Sequence, residues 1–190
     1  MSETRSAAQI KQITAPADRA ALSALRAGDN VLISGYLYTG RDAAHKRLMA
    51  LIEEGKPLPL PLEGQMIYYV GPAPAGPGRA VGPAGPPTSS RMDKYTPALL
   101  ERGLLGMIGK GSRSPQVVEA MKRSGAVYFG AVGGAAALIA RSIVAAEMVA
   151  YPDLGTEAIH RFTVRDFPAI VVIDSLGNNL YESQPPLYAR

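Results

Sequence analysis

The chain has 190 residues, of which 47% are hydrophobic and 19% are charged. This composition is sufficient for a buried core and excludes a disordered chain. The net charge is +4, and the 20 basic residues are scattered along the sequence. Nucleic-acid-binding proteins usually gather theirs on one face or tail, so we expect no nucleic-acid partner. The sequence has no cysteine and two histidines, which predicts that this chain holds no metal and no iron–sulfur cluster by itself.

Neither the amino-terminal segment nor the apolar runs have the pattern of a targeting signal or a membrane span. Residues 1–12 mix acidic and basic side chains without an apolar stretch, unlike a signal peptide. The longest uncharged apolar run, 126–140, is shorter than the ~20 residues of a membrane helix and is interrupted by glycines. We therefore expect a cytoplasmic protein with no membrane partner. Its length favours a single domain over residues 1–190, with a flexible tail over residues 1–16.

Helical and extended patterns alternate through the first half of the chain. Asp42 precedes residues at helical spacing and is expected to cap a helix that ends before Gly55 and Pro57. The predicted elements in this half are a helix over 17–25, a strand over 30–34 that 36–38 continue, a helix over 42–54, a strand over 66–70 and a helix over 93–102.

Residues 71–87 are crowded with Gly and Pro. Such a composition fits a flexible linker between two domains or an ordered loop. We favour the ordered loop, because the segment ends in a dense polar cluster, Thr88-Ser89-Ser90-Arg91, immediately before a predicted helix.

The second half alternates more regularly. The predicted elements are a strand over 104–108, helices over 115–124 and 134–149, a strand over 126–129, and strands over 159–164, 169–173 and 180–182, the last two joined by a turn over 176–178. Because strands and helices alternate without a uniform βαβ rhythm, we expect mixed α/β layers.

Three loops share one design, in which a strand ends, a Gly-rich or hydroxyl-rich segment follows, one cation appears and a helix begins. We call residues 38–47, 85–93 and 107–116 the cation loops; their cations are Arg41, Arg91 and Lys110. Free backbone N–H groups and the helix dipole favour anions at such places, and Arg can grip a carboxylate with two parallel hydrogen bonds. Taken singly, each loop also fits a capped helix start with an exposed cation. Three together favour convergence on a small dianion such as a dicarboxylate.

Other candidate signals point to structure rather than chemistry. Lys110 lies between two glycines, but the Gly and Ser/Thr positions of a phosphate-binding P-loop are missing around it. His45 lies at helical spacing from Arg41 and is interpreted as a structural hydrogen-bonding residue, and His160 is also interpreted as structural. No Ser-His-Asp arrangement is indicated by the spacing.

Six segments occur in a specific order: GYLYTGRDAAHKRL, YYVGPAPA, GPPTSSRMD, MIGKGSRS, AVYFGAVGGAAALIA and DFPAIVVIDSLGN. Together they resemble the β subunit, equivalent to the C-terminal domain, of class I iron–sulfur fumarate hydratases and L-tartrate dehydratases. The resemblance covers residues 17–182. It implies an α/β fold of the swivelling three-layer β/β/α type with mixed sheets.

The resemblance also implies an activity, a cofactor and a partner. The family reaction is reversible addition of water to fumarate, or loss of water from tartrate, at a four-iron–four-sulfur cluster on a partner α subunit. By motif, Arg41, Thr88, Arg91 and Lys110 are implied to bind the dicarboxylate substrate, and Thr88 and Lys110 to take part in catalysis. This chain would then be inactive alone. The apolar run 126–140 and the Gly- and Pro-rich segment 71–87 offer more apolar surface than one small domain needs, so we expect a homodimer and, with the partner, an α2β2 assembly.

One position departs from the family pattern. The family usually reads GPTTSxRM, and its first Thr is assigned to proton transfer, but Pro87 stands there in this sequence. Thr88 keeps the second position, so either Thr88 or a group of the α subunit is left as the base. Fumarate hydratase and tartrate dehydratase subunits both fit the motifs, as does a non-catalytic module that binds dicarboxylates or serves assembly.

Overall fold

The computed structural model describes residues 9–131 and 136–183. In that part of the chain the strands are β1 (Lys11–Ala15), β2 (Asn30–Thr39), β3 (Met66–Tyr68), β4 (Gly106–Gly109), β5 (Val127–Gly130), β6 (Ile143–Ala150) and β7 (Ile159–Ile173). The α-helices are α1 (Arg19–Ser23), α2 (Asp42–Glu53), α3 (Thr96–Leu100), α4 (Pro115–Ser124), α5 (Ala136–Ser142) and α6 (Leu180–Ser183), and short 3-10 helices cover Ser89–Met92 and Pro152–Glu157.

All seven strands join one mixed sheet with the order β1-β2-β3-β4-β5-β7-β6. Strands β1 to β5 run parallel to one another. Strand β7 is antiparallel to its neighbours β5 and β6. Strand β7 also pairs with β2, so β2, β3, β4, β5 and β7 form a closed ring of hydrogen-bonded strands. The predicted α/β class is confirmed.

Residues along β3 alternate between two buried apolar clusters, as side chains of a strand alternate between the faces of a sheet. Met66 and Tyr68 belong to one cluster, and Ile67 and Tyr69 belong to the other. The second cluster is covered by α2, α3 and α4, which contribute Leu48, Leu99 and Met121, respectively.

The flexible tail predicted over residues 1–16 does not extend to residue 16. Residues 11–15 form β1, which pairs parallel with β2 and places Ile13 beside Ile33. Ile13 and Ala15 are buried in the core. The prediction of a tail is wrong for residues 11–15, because this alternating segment gains a hydrogen-bonding partner in β2 and buries its apolar side. Residues 1–8 lie outside the described residues.

The predicted helix over 134–149 is also wrong in its second half. Helix α5 ends at Ser142, and residues 143–150 form β6, which pairs antiparallel with β7 from Ile143 opposite Val164 to Ala150 opposite Ile159. The Ala-rich pattern indicates a helix locally, but β7 offers the backbone an edge to pair with. Residues 134 and 135 lie outside the described residues.

The carboxyl-terminal elements differ from the prediction in two ways. The strands predicted over 159–164 and 169–173 are one strand, β7, and the residues between them include Asp166, whose φ is 51°. The strand predicted over 180–182 is the helix α6 instead. The turn over 176–178 is confirmed, and Asp174 holds it by accepting hydrogen bonds from the backbone N–H groups of Leu176 and Asn178.

Around the Gly- and Pro-rich segment the chain is ordered against the sheet. Val81 and Ala84 are buried, and the Ala73 N–H donates to the Pro83 carbonyl at 3.1 Å. The interpretation as an ordered loop is therefore confirmed. The helix predicted over 93–102 is shorter, since residues 89–92 form a 3-10 turn and α3 begins at Thr96.

The helices predicted over 42–54 and 115–124 are confirmed as α2 and α4. None of the helices in residues 9–131 and 136–183 is long and apolar enough to cross a membrane.

Candidate functional site

The cation loops meet at one edge of the sheet. Arg41 follows β2 and Lys110 follows β4, and these strands run parallel on either side of β3. The carboxyl ends of parallel strands lie at the same edge, where α/β proteins usually bind ligands. Thr88 is brought to this edge as well, because it forms a parallel bridge with Lys110.

Arg41 and Arg91, the arginine pair, converge on a single carboxylate. The Arg91 Nε lies 2.9 Å from Asp42 Oδ1, and an Arg41 terminal nitrogen lies 4.0 Å from Asp42 Oδ2. The Arg91 side chain is 53% exposed, and that of Arg41 is 23% exposed. Two cations 50 positions apart in sequence are therefore within reach of one small anion.

The amino end of α2 is arranged differently from the prediction. Arg41 occupies the N-cap position without a side-chain capping bond, and Asp42 is the first helical residue. The expectation that Asp42 caps the helix is wrong, because Asp42 turns toward the arginine pair. Glu157 takes the capping role: one of its oxygens accepts the Ala43 N–H at 2.9 Å, and the other lies 3.5 Å from Arg41.

Close packing fixes the Arg41 side chain. A Cβ at Gly71 would stand 3.2 Å from the Arg41 side chain and 2.9 Å from the Thr156 carbonyl oxygen, so glycine leaves the space that the guanidinium occupies. Within the described residues the buried atoms Arg41 Nε and Asp42 Oδ2 have no hydrogen-bond partner. Buried polar atoms are usually paired, so these two are exceptions within the arginine pair.

Thr88 and Lys110 lie side by side, and both are exposed. Two backbone contacts hold the segments together: the Ser89 N–H donates to the Lys110 carbonyl at 2.9 Å, and the Lys110 N–H donates to Ser89 Oγ at 3.0 Å. The structure thus brings Thr88 and Lys110 to the same edge of the sheet as the arginine pair.

Beneath these groups lies a buried cation that the sequence analysis missed. The Arg113 side chain is fully buried, and its Nε lies 2.7 Å from Asp93 Oδ1. It also donates to Thr96 Oγ1 at 2.8 Å and stacks against the rings of Tyr69 and Tyr128 at 5.2 and 5.0 Å. The sequence feature that could have identified Arg113 is its position in the third cation loop. This residue joins the second and third cation loops.

Burial by itself lowers the pKa of Arg113, but the neighbouring Tyr69 and Asp93 reverse this effect and leave its pKa raised. The guanidinium therefore stays charged. The other Asp93 oxygen accepts the Ser114 N–H at 2.6 Å, so a single carboxylate both neutralises Arg113 and holds the residue that precedes α4.

His45 is a structural hydrogen-bonding residue, as the sequence predicted. It is buried, its Nδ1 lies 2.8 Å from the Arg41 carbonyl oxygen, and its ring packs near Tyr69 and Tyr95. Because a carbonyl oxygen only accepts, Nδ1 carries the proton. Burial lowers the pKa of His45 to about 4, so the ring is neutral near pH 7. The half-buried His160 contacts the Ala158 carbonyl through its Nδ1 at 3.1 Å.

No group of three or more His, Asp or Glu residues that could hold a metal ion occurs in residues 9–131 and 136–183. The whole chain also lacks cysteine. The residues of this chain therefore do not fit an iron–sulfur cluster, whose irons are usually held by thiolates.

A family model described as Fumarase C-terminus matches residues 1–184. The chain belongs to this family. The resemblance drawn from the six sequence segments is thereby confirmed, and the cation loops that carried it are the loops that meet at the sheet edge.

Relatives of this chain include longer fumarate hydratases and a protein named as a subunit. The chain is 42% identical over 165 residues to "Fumarate hydratase class I, anaerobic" of Escherichia coli (strain K12), an alignment that covers 86% of this chain and 30% of that protein. It is 37% identical to "Putative fumarate hydratase class I" of Geobacillus stearothermophilus, covering 96% of this chain and 35% of that protein. The chain spans about a third of the length of these fumarate hydratases.

A third relative has nearly the length of this chain. It is the "Putative L(+)-tartrate dehydratase subunit beta" of Methanocaldococcus jannaschii, which is 34% identical over 164 residues. The alignment covers 83% of this chain and 84% of that protein. The relatives are thus named as fumarate hydratases and as a tartrate dehydratase subunit.

Proposed function

We propose that this chain is the β subunit of a two-subunit iron–sulfur hydro-lyase that reversibly hydrates fumarate to L-malate, and that it supplies the cations that bind the substrate carboxylates. The observation that carries this proposal is the convergence of Arg41 and Arg91 on Asp42 at the carboxyl edge of the sheet. A small dicarboxylate offers the same chemical group to the same cations.

The geometry of Arg91 leaves room for such a substrate. Arg91 donates to Asp42 through Nε, and its terminal nitrogens have no protein partner within the described residues. Four N–H donors in a planar fork therefore remain for a two-pronged contact with a carboxylate. In this assignment Asp42 orients the guanidinium while the substrate binds its open end.

The cations also favour the chemical step. Removing a proton beside a carboxylate builds negative charge on that carboxylate, and preorganised cations stabilise this charge more in the transition state than in the ground state. Arg41 and Arg91 would hold one carboxylate, and Lys110 would act on the other. The exposed Thr88 hydroxyl beside Lys110 would move the proton, or a group of the α subunit would do so, since Pro87 has no hydroxyl.

The cofactor in this proposal is a four-iron–four-sulfur cluster on the α subunit, because this chain has no cysteine. When bound, that cluster supplies an open iron that acts as a Lewis acid. The relative named as a tartrate dehydratase subunit beta supports a two-chain arrangement.

The remaining features of the proposal concern the whole assembly. We assign the chain a single swivelling domain of three β/β/α layers, a cytoplasmic location, and homodimer and α2β2 states. The α/β sheet with helices α2, α3 and α4 over one apolar cluster supports the layered arrangement.

A second candidate is the L-tartrate dehydratase β subunit. The relative with that name supports it, because it is 34% identical to this chain over 164 residues. Fumarate, methylated fumarate and tartrate all present two carboxylates, so the arginine pair and Lys110 do not distinguish them. A non-catalytic dicarboxylate-binding or assembly module would use the same cations without turnover.

Anaerobic co-expression with the α subunit, followed by assays with each dicarboxylate, tests the proposal. Hydration of fumarate that disappears in a complex carrying Arg91→Ala supports the fumarate hydratase assignment. Turnover of L-tartrate alone supports the second candidate. Binding of dicarboxylates by a fully assembled complex without any turnover would overturn both enzymatic assignments.

A further inference from the structure

A short chain of hydrogen bonds lies directly under Lys110. The Lys110 N–H donates to Ser89 Oγ at 3.0 Å, and Ser89 Oγ lies 2.9 Å from the Tyr128 hydroxyl oxygen. The Tyr128 hydroxyl also lies 3.0 Å from the Gly111 carbonyl oxygen. Ser89 and Tyr128 therefore contact the backbone of Lys110 and Gly111 from both sides of the peptide unit that joins them.

Tyr128 and the Lys110 backbone both donate in this network. The Tyr128 hydroxyl has one proton and two acceptors within reach, Ser89 Oγ and the Gly111 carbonyl oxygen. Ser89 Oγ also accepts the Lys110 N–H. The Ser89 oxygen therefore links the Tyr128 hydroxyl to the Lys110 backbone.

The site of this chain is dry and closely packed. Ser89 and Tyr128 are fully buried, so water does not compete for their hydrogen bonds. A side chain at Gly109 would collide with Ser89 Oγ, which explains the first glycine of the Gly109-Lys110-Gly111 run. Burial raises the pKa of Tyr128, so the phenol keeps its proton at neutral pH.

Two further hydrogen bonds hold the backbone of this loop: the Ser89 N–H donates to the Lys110 carbonyl at 2.9 Å, and the Gly111 N–H donates to the Tyr181 hydroxyl at 3.2 Å. Lys110 is exposed and forms no ion pair within the described residues, and it lies between two glycines. Gly111 has a φ of 84°, a conformation that glycine adopts freely and also leaves freely. The position of the ammonium group therefore depends on how firmly the backbone is held.

We propose that Ser89 and Tyr128 are positioning residues that clamp the Lys110–Gly111 peptide and thereby aim the Lys110 ammonium at the substrate carboxylate. This inference rests on the proposed function for its catalytic consequence. The clamp itself is a property of this chain and is measurable without the partner.

The first test is amide hydrogen exchange of the isolated chain by NMR. Exchange at the Lys110 N–H, normalised to that of Ile108 in β4, should accelerate by at least about tenfold in Ser89→Ala and at least about threefold in Tyr128→Phe. The control is Tyr68→Phe, which removes another buried hydroxyl that donates to a loop carbonyl, that of Ala84. It should leave Lys110 exchange unchanged. If the Lys110 N–H exchanged at the wild-type rate in both Ser89→Ala and Tyr128→Phe, the clamp would be overturned.

The second test uses the complex with the α subunit. Tyr128→Phe should lower kcat/KM for the dicarboxylate by about tenfold, through a higher KM and a lower kcat, because the Lys110 ammonium both binds the carboxylate and stabilises its charge in the transition state. Tyr68→Phe should keep the wild-type kcat/KM. An active wild-type complex whose Tyr128→Phe variant has a normal kcat/KM would overturn the catalytic role of the clamp. An inactive wild-type complex would overturn the proposed function, while the exchange test would still decide whether the clamp exists.

Discussion

The three cations at the sheet edge differ in how they are held. Arg41 is packed against Gly71 and paired with Glu157, Arg91 is half exposed and bound to Asp42, and Lys110 is exposed. These differences concern only the free protein, since all three would donate charge-assisted hydrogen bonds to a bound dicarboxylate.

Replacing each cation by alanine should therefore impair the reconstituted enzyme. We expect Arg41→Ala, Arg91→Ala and Lys110→Ala to lower kcat/KM by at least about tenfold, because such a bond is worth about 1.5–3 kcal/mol. Arg79→Ala, which removes an exposed cation from the Gly- and Pro-rich loop, is the matched control and should be silent.

The conservative variant Arg91→Lys sharpens this test. An ammonium group cannot bind Asp42 and grip a carboxylate with two prongs at once, so this variant should also be impaired. If all three alanine variants kept normal kcat/KM, the cation loops would be ordinary starts of helices.

His45 makes stability depend on pH. Its pKa lies at about 4 in the folded protein, against 6.5 for an unperturbed histidine. The unfolded chain therefore binds a proton that the folded chain excludes, and the free energy of unfolding should fall by up to about 3 kcal/mol as pH decreases from 6.5 to 4. His45→Gln should flatten this dependence in urea denaturation experiments at a series of pH values. His160→Gln should retain the slope, and an equal slope in His45→Gln would refute the assignment.

At the scale of elements, the ion pair of Arg113 and Asp93 connects two segments. Arg113 lies in the loop before α4, and Asp93 lies in the segment before α3. Arg113→Met would leave the Asp93 carboxylate, which is 13% exposed, without its partner. We expect a loss of about 3–5 kcal/mol in the free energy of unfolding, since breaking a buried pair leaves an uncompensated charge.

The control for this element-scale prediction is the exposed pair of Arg47 and Asp153. Arg47→Met should lower the free energy of unfolding far less than Arg113→Met, because exposed ion pairs contribute little. Chemical denaturation of both variants measures the difference. Equal losses would mean that Arg113 does not join the elements as described.

At the scale of the whole molecule, the chain should depend on a partner for its metal. The purified chain is expected to be colourless, without iron and inactive on fumarate, because it contains no cysteine. Metal analysis and an activity assay of the isolated chain measure this. Stoichiometric iron, or turnover by this chain alone, would contradict the two-subunit proposal.

Association is the second prediction at this scale. The apolar run 126–140 was one reason to expect a homodimer, but the structure buries its strand β5. Exposed apolar side chains lie instead on β6, where Val144 is 48% and Met148 51% exposed. We expect light scattering to give the mass of a dimer, and the double variant Val144→Asp/Met148→Asp to give a monomer. A monomeric wild-type chain at micromolar concentration would contradict the prediction.

The sequence by itself determined the elements whose signals are local. Helix α4 begins and ends as predicted, because Ser114-Pro115 marks its start, apolar residues recur at helical spacing, and Gly125 follows in the left-handed conformation. The cation loops were also found from sequence, because each combines a strand end with glycine or hydroxyl residues and one cation. Their common edge then followed from the parallel order of β2, β3 and β4.

Only the tertiary structure decided the features that depend on distant partners. Residues 11–15 and 143–150 are strands because β2 and β7 offer them backbone hydrogen bonds, and Glu157 caps α2 from far along the chain. The buried Arg113 and the Ser89–Tyr128 contact likewise exist only once the loops meet. Periodicity and capping residues are encoded over a few neighbouring positions, whereas pairing between segments that are separated along the chain leaves no local pattern to read.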